Sequence, residues 1–230
     1  MLQSTIARIV RHLPEIEHRY FEDAQSEKRT QKKRGYIVVA AAGDGIDANG
    51  SITMNDGTVI VNGPENGGNG ALDYDTTFDI NGGTFVAAGS SQMAQGPSDS
   101  STQASINVSL ATSYSESIVS VLDSNGNIIL SFIPAKTCDS IIISSPKLTV
   151  GSDYSLYCGG SSTGTETNGL YTEGTVSGGS ELTSFTLSSS IMTVSSSGAT
   201  EGISGSMGMP GGMGGQGGMQ GTMPGGMPQR

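Results

Sequence analysis

Residues 44–79 hold seven carboxylates (Asp44, Asp47, Asp56, Glu65, Asp73, Asp75 and Asp79) and no Lys or Arg. Acids without basic neighbours suit three kinds of chemistry: holding a cation, sharing a proton in a glycosidase pair, or capping turns. Calcium takes about six to eight oxygens in a forgiving geometry, and Asp44, Asp47, Asn49, Asp73 and Asp75, with turn carbonyls, are the candidate ligands. Magnesium fits less well because it demands a stricter octahedron. The spacing is not that of an EF-hand, which needs a Glu at the twelfth loop position. The competing reading is structural: Asp-Gly and Asn-Gly words form turns whose side chains bond their own backbone.

Catalysis is poorly supplied. A lyase acting on an acidic sugar needs a strong base beside its metal, and after residue 35 the only Lys and Arg are Lys136, Lys147 and Arg230. A hydrolase needs carboxyls about 5.5 Å or about 6.5–9.5 Å apart. Asp pairs exist here, but turn capping explains them as well. His12 and His18 both precede residue 35, so a Ser/His or Cys/His nucleophile has no base in the body of the chain. The inventory favours binding over catalysis, and no catalytic residue is assigned.

Sugars are commonly held against aromatic faces. With no Trp in the chain, the candidates are Tyr74, Tyr154, Tyr157 and Tyr171. Tyr74 lies between Asp73 and Asp75, so on a strand it faces away from both. It is either a sugar platform or an ordinary half-buried strand tyrosine. Cys138 and Cys158 fall near the ends of expected strands. They are a disulfide candidate in an oxidising compartment and two buried thiols otherwise.

The elements that must position these residues are signalled by an internal repeat. Residues 46–63 (IDANGSITMNDGTVIVNG) align with residues 72–89 (LDYDTTFDINGGTFVAAG) at an offset of 26. The offset matches Ile46 with Leu72, Asp47 with Asp73, Ile52 with Phe78, Met54 with Ile80, Asn55 with Asn81 and Gly57 with Gly83. Inward apolar positions keep their character while outer positions vary, as expected of stacked units. Three short strands with Gly/Asn corners make one coil of a parallel β-helix, each strand about 4.8 Å from its counterpart. Asn55 and Asn81 then form an amide ladder, and Asp47 stacks on Asp73. At about 5 Å and an effective dielectric of about 20, that pair repels by roughly 3 kcal/mol, which a cation or a raised pKa would relieve.

Two coils do not bury a core alone, so the rest of the chain must extend or cap the stack. The apolar runs SINVSL, SIVSVL, NIILSFI, SIIIS, KLTV and YSLYC in residues 105–158 read as strands, with a hairpin turn at Asp123–Asn127. Residues 159–180 read as a long loop with short strands, and 181–195 as one or two final strands. Residues 197–230 read as a low-complexity Gly/Met-rich tail, and residues 1–34 as a helix-prone or disordered leader outside the fold. The open end of a short stack exposes a sheet edge and invites self-association.

Charge sharpens the exclusions. The 230-residue chain carries a formal −10, but residues 1–35 sum to +3 and the remainder to −13. A body this acidic repels phosphate backbones and argues against nucleic acid. No apolar stretch is long enough for a transmembrane helix, and no signal-peptide pattern is visible.

The words GDGIDANGSITMNDGTVIVNGP (43–64), GNGALDYD (68–75), INGGTFVAAGSSQMAQ (80–95) and YSLYCGG (154–160), with the Gly/Met-rich tail, resemble the cell-surface carbohydrate-binding domain proteins of Gram-positive anaerobes. The resemblance covers roughly residues 36–230. It implies a right-handed, pectate-lyase-like parallel β-helix, calcium, binding of cellulose or of acidic sugars such as polygalacturonate, and an extracellular or cell-surface location. It also implies more coils and an export signal upstream, so the chain reads as truncated. The expectation is an all-β protein: a short right-handed parallel β-helix over 35–196 with a β-rich extension, binding polysaccharide without cleaving it. The alternatives are a structural or adhesive surface repeat rigidified by calcium, and a polysaccharide lyase or hydrolase relic.

Overall fold

Repeat pairing sets the first layer of the molecule. The computed structural model describes residues 35–203. The leader and most of the expected tail lie outside the described residues. Each repeat folds as three strands: β2 (Ile46–Ala48), β3 (Ile52–Met54) and β4 (Thr58–Asn62), then β5 (Leu72–Tyr74), β6 (Phe78–Ile80) and β7 (Thr84–Gly89). Every strand pairs in parallel with its counterpart at the 26-residue offset, matching Ile46 with Leu72, Ile52 with Phe78 and Thr58 with Thr84. A further strand, β1 (Tyr36–Ala40), pairs in parallel with β4.

The rest of the chain builds a second layer on the same sheet. β11 (Cys138–Ser144) joins β7 antiparallel and β8 (Ser105–Tyr114) joins β11, followed by β18 (Ile191–Ser195) and β19 (Gly198–Glu201). The result is a mixed seven-stranded sheet in the order β1-β4-β7-β11-β8-β18-β19. Facing it is a six-stranded antiparallel sheet of β14 (Thr165–Thr167), β15 (Leu170–Thr172), β10 (Ile128–Phe132), β9 (Val119–Asp123), β12 (Asp153–Cys158) and β17 (Ser180–Thr186), in that order. β13 (Ser161–Ser162) and β16 (Val176–Ser177) form a small ribbon. The protein is all-β, in several sheets, none closed. Among the described residues no helix is long and apolar enough to cross a membrane.

Side chains alternate across a strand, so a sheet covered on both faces reads as a continuous apolar run. The words TFVAAG and SIIIS do so because β7 and β11 sit between two cores. Val86, Ile141 and Ile143 face the six-stranded sheet and pack with Val121, Phe132 and Leu156. Phe85, Ala87 and Ile142 face the other way and pack with Leu72, Phe78 and Ile80 of the repeat. The repeat thus shares one wall with the sandwich.

Two expectations change. KLTV (147–150) is a turn, not a strand: Pro146 lacks a donor, Leu148 N bonds Ser145 O at 3.0 Å, and Gly151 takes φ 87°. Strand structure also continues past residue 196, because β19 folds back on β18. The hairpin at 123–127 forms as expected. Asp123 Oδ2 accepts from Asn127 Nδ2 at 2.9 Å and its Oδ1 from the backbone N–H of Asn127 and Asn125 at 2.8 and 2.9 Å, which together hold its carboxyl below the usual range.

Candidate functional site

The repeat register brings the expected acids together. Asp47 lies directly under Asp73 on the outer face of the β2/β5 pair, and both are exposed. Asp44 accepts a hydrogen bond from Gly70 N at 2.8 Å. Asp75 and Asn49 are exposed nearby in sequence. Partial burial, then the charges of Asp44, Asp47 and Asp75, raise the pKa of Asp73. Solvent screening reduces the stacking repulsion well below its value for a low-dielectric pair, to about 1 kcal/mol or less. Among the described residues no group of three or more Asp, Glu, His or Cys is placed to hold a metal ion.

The other acids of this stretch work locally. Asp56 caps Gly57 N at 2.8 Å, Glu65 accepts from Thr137 N at 3.1 Å, and Asp79 accepts from the hydroxyls of Ser100 and Thr77. A small polar pocket of about 140 Å³ borders Glu65 and Asp139, but Asp139 already accepts from the N–H and hydroxyl of Ser91.

A mutation follows from the Asp73 environment. A carboxyl whose folded pKa is raised destabilises the fold while ionised, and the penalty disappears as pH falls through that pKa. Asp73→Asn is therefore expected to stabilise the protein at pH 7 by about 0.2–1 kcal/mol, the range of exposed charge pairs. The gain should vanish at acidic pH. Urea denaturation at both pH values checks it, and a loss of stability at pH 7 would count against like-charge crowding here.

One of the four tyrosines is corrected. Tyr154 is 3% exposed in the sandwich core, packs on Phe185, and accepts a hydrogen bond from Thr149 N at 2.8 Å. Tyr74 turns inward, as its position between two outward aspartates requires. Its ring meets the edge of Phe78, and its hydroxyl donates to Gly96 O at 2.6 Å. Tyr154 offers no free face for a sugar, and Tyr74 is a half-buried strand tyrosine packed on the repeat core. Tyr157 and Tyr171 are partly exposed and share the outer face of the six-stranded sheet. They lie on one cross-strand row, Glu166–Tyr171–Ser131–Ser120–Tyr157–Glu181. Three strand spacings, about 14 Å, separate the two tyrosine positions.

The disulfide candidate is also corrected. Cys138 and Cys158 are both free and buried. They sit on different sheets, and Tyr114 neighbours both: it pairs with Cys138 across the β8–β11 ladder and hydrogen-bonds Cys158. Burial, then the charge of Asp139, pushes the Cys138 thiol up to about 12, and burial raises Cys158 as well. Both thiols are therefore inert at neutral pH.

The amide ladder forms: Asn81 Nδ2 donates to Asn55 Oδ1 at 3.1 Å. It continues upward, because Thr102 Oγ1 donates to Asn81 Oδ1 at 3.0 Å. There it opens into a surface groove of about 400 Å³, whose lining includes Asn81, Thr102, Leu148, Thr149, Val150 and Ser190. Among the described residues, no titratable side chain lines it. Val150 is about half exposed, while Leu148 is buried. No family model, curated protein or solved structure matches this chain.

Sequence reasoning reached only Asn81 of this groove. Thr102, Thr149, Val150 and Ser190 come from segments far apart in the chain, and no local pattern joins them. The only Lys or Arg residues among those described are Lys136 and Lys147. Lys136 Nζ donates to Ala41 O, and Lys147 Nζ donates to Ile128 O at 3.2 Å.

Proposed function

We propose that the protein binds a neutral polysaccharide without cleaving it, and that its paired repeats are two coils of a right-handed parallel β-helix. The observation that carries this reading is the uncharged groove at the head of the Asn55–Asn81–Thr102 ladder. Its volume of about 400 Å³ falls within the range of ligand clefts. It combines amide and hydroxyl groups, which match sugar hydroxyls, with the exposed aliphatic surfaces of Pro146 and Val150, which match the C–H faces of a pyranose ring.

The charge distribution supports a neutral chain such as cellulose over a polyuronate. An acidic sugar would meet a strongly acidic body whose two described lysines are engaged with backbone carbonyls. The same shortage of a free base supports a binding role over a lyase role. Calcium held by Asp44, Asp47, Asn49, Asp73 and Asp75 remains the route by which an acidic sugar would be bridged.

Retention on microcrystalline cellulose and on immobilised polygalacturonate, each with and without chelator, tests the reading. Retention on cellulose, insensitive to chelator and weakened several-fold by Asn81→Ala with Val150→Ala, is the expected result. Failure to bind any glycan would sink it. Chelator-sensitive retention on polygalacturonate would move the site to the aspartates, and release of products from pectin would make the protein an enzyme.

A further inference from the structure

The chain contains seven Asn-Gly words, at Asn49, Asn62, Asn66, Asn69, Asn81, Asn125 and Asn168. The word carries a chemistry of its own. Glycine has no side chain to shield its backbone nitrogen. That nitrogen can therefore attack the Asn side-chain carbonyl one residue back and expel the amide as ammonia. All seven words hold the same reactants, so the fold decides which of them reacts.

Three conditions sort them. The glycine N–H must have no acceptor, because a donated hydrogen bond holds both its proton and the plane of its peptide. The Asn amide must be free to turn onto the backbone. Water must reach the site, to take the proton and later to open the ring.

Five words fail the first condition. Gly50 N donates to Ala48 O, Gly63 N to Ala88 O, Gly70 N to Asp44 Oδ1, Gly126 N to Asp123 O and Gly169 N to Glu166 Oε1, all within 2.9 Å. Asn62 is also buried, at 4% exposed. Asn81 fails the second condition. Its Nδ2 donates to Asn55 Oδ1 and its Oδ1 accepts from Thr102 Oγ1, at 3.1 and 3.0 Å, so turning it breaks the ladder on both sides.

Asn66 meets all three. It is exposed, and among the described residues neither its Nδ2 nor Gly67 N donates a hydrogen bond. Gly68 N donates to Asn66 Oδ1 at 3.1 Å. That contact polarises the side-chain carbonyl and sits where negative charge develops on the oxygen during attack.

We propose that Asn66 is a site of spontaneous deamidation, to which the fold directs the reaction out of seven equivalent words. Gly67 N gives its proton to solvent and bonds to Asn66 Cγ. The Cγ–Nδ2 bond breaks, and the nitrogen takes a proton from water and leaves as ammonia. One water then opens the five-membered imide. Opening at Cγ leaves aspartate, and opening at the main-chain carbonyl leaves isoaspartate, with the backbone routed through the side chain. One water enters and one ammonia leaves, with no change of oxidation state. Either product places a new carboxylate beside Glu65, in the connection between β4 and β5 and on the rim of the small polar pocket that Glu65 and Gly67 border. It makes an already acidic chain more so.

The test is timed incubation of the full chain at neutral and at mildly alkaline pH, followed by peptide mapping with fragmentation to locate each changed residue. The expected result is an amide-to-acid mass gain at Asn66, split into two chromatographic forms. It should accumulate several-fold faster than at any of the other six words, and faster at the higher pH, because the attacking N–H must ionise. In urea all seven words should react at comparable rates, which separates the contribution of the fold from that of the dipeptide. Gly67→Ala sets a methyl group beside the attacking nitrogen, against the exposed Gln92 side chain. It should slow Asn66 several-fold in the folded protein and leave the other six words unchanged. Equal rates at all seven words in the folded protein, faster reaction at any other Asn, or an Asn66 that reacts only after unfolding would each overturn the proposal.

Discussion

Phe85→Ala is expected to lower the free energy of unfolding by about 3–5 kcal/mol, the cost of emptying a fully buried phenylalanine site. Phe85 is 0% exposed and meets Phe78 edge-on, with ring centroids 5.1 Å apart and planes at 70°. Its neighbours Phe78, Leu72 and Ile80 come from strands in other sheets, each pinned by its own pairing, so the site cannot collapse to fill the void. The loss would be a large share of the roughly 5–15 kcal/mol that holds a typical domain. Phe85 also tests the coupling of the two cores. Val86, the next residue on β7, belongs to the sandwich core. If the shared sheet makes one cooperative unit, Phe85→Ala lowers the urea midpoint of a single transition with an unchanged slope, and Val86→Ala shifts the same transition by a smaller amount. Two transitions in the Phe85 variant would show that repeat and sandwich unfold separately. A cost below about 1 kcal/mol would contradict the placement of this ring at the centre of the repeat core.

The repeat was legible because its signal is local. Apolar positions, Gly/Asn corners and the 26-residue offset are written in adjacent words, and a one-residue slip would turn Asp47 and Asp73 inward. The same parity put Tyr74 opposite those aspartates. Once the acids take the solvent side, the ring turns toward the repeat core, where it is half-buried against Phe78. The sandwich was not legible. Ser105–Tyr114 and Cys138–Ser144 announce themselves as strands, but nothing in either word says that β11 inserts between β7 and β8, or that β18 joins β8 in parallel. Such partners are chosen by non-local burial. KLTV shows the limit from the other side: its alternation is that of a strand, yet Pro146 and Gly151 bracket it too closely. The groove was hidden for the same reason as the sandwich. Only Asn81 carried a sequence signal, through its stacking on Asn55.

Gly83→Ala is expected to cost about 2–4 kcal/mol, combining left-handed backbone strain with the disturbance of a rung-to-rung hydrogen bond. Gly57 and Gly83 occupy the same corner in successive repeats, with φ of 99° and 91°. A Cβ on Gly83 would lie 2.5 Å from Gly57 O. That oxygen is not a bystander: it accepts the 2.8 Å bond from Thr84 N that starts the β4–β7 pairing. Moving it to admit a methyl group breaks the contact that sets the register of the sheet shared by both cores. Gly126, in the 123–127 hairpin, separates the two contributions. It also has a positive φ, 80°, but a Cβ there meets nothing within 4 Å. Gly126→Ala therefore pays the backbone strain alone, about 1–2 kcal/mol. The difference between the two variants in urea denaturation measures the close approach of the rungs. Equal costs would mean that the corners are not in contact, and the stacked register would lose its steric basis. A larger loss for Gly83→Ala, matched by Gly57→Ala because its Cβ would meet Gly35 O at 2.6 Å, would establish that the glycines of this repeat are selected for the spacing between rungs and not only for the turn.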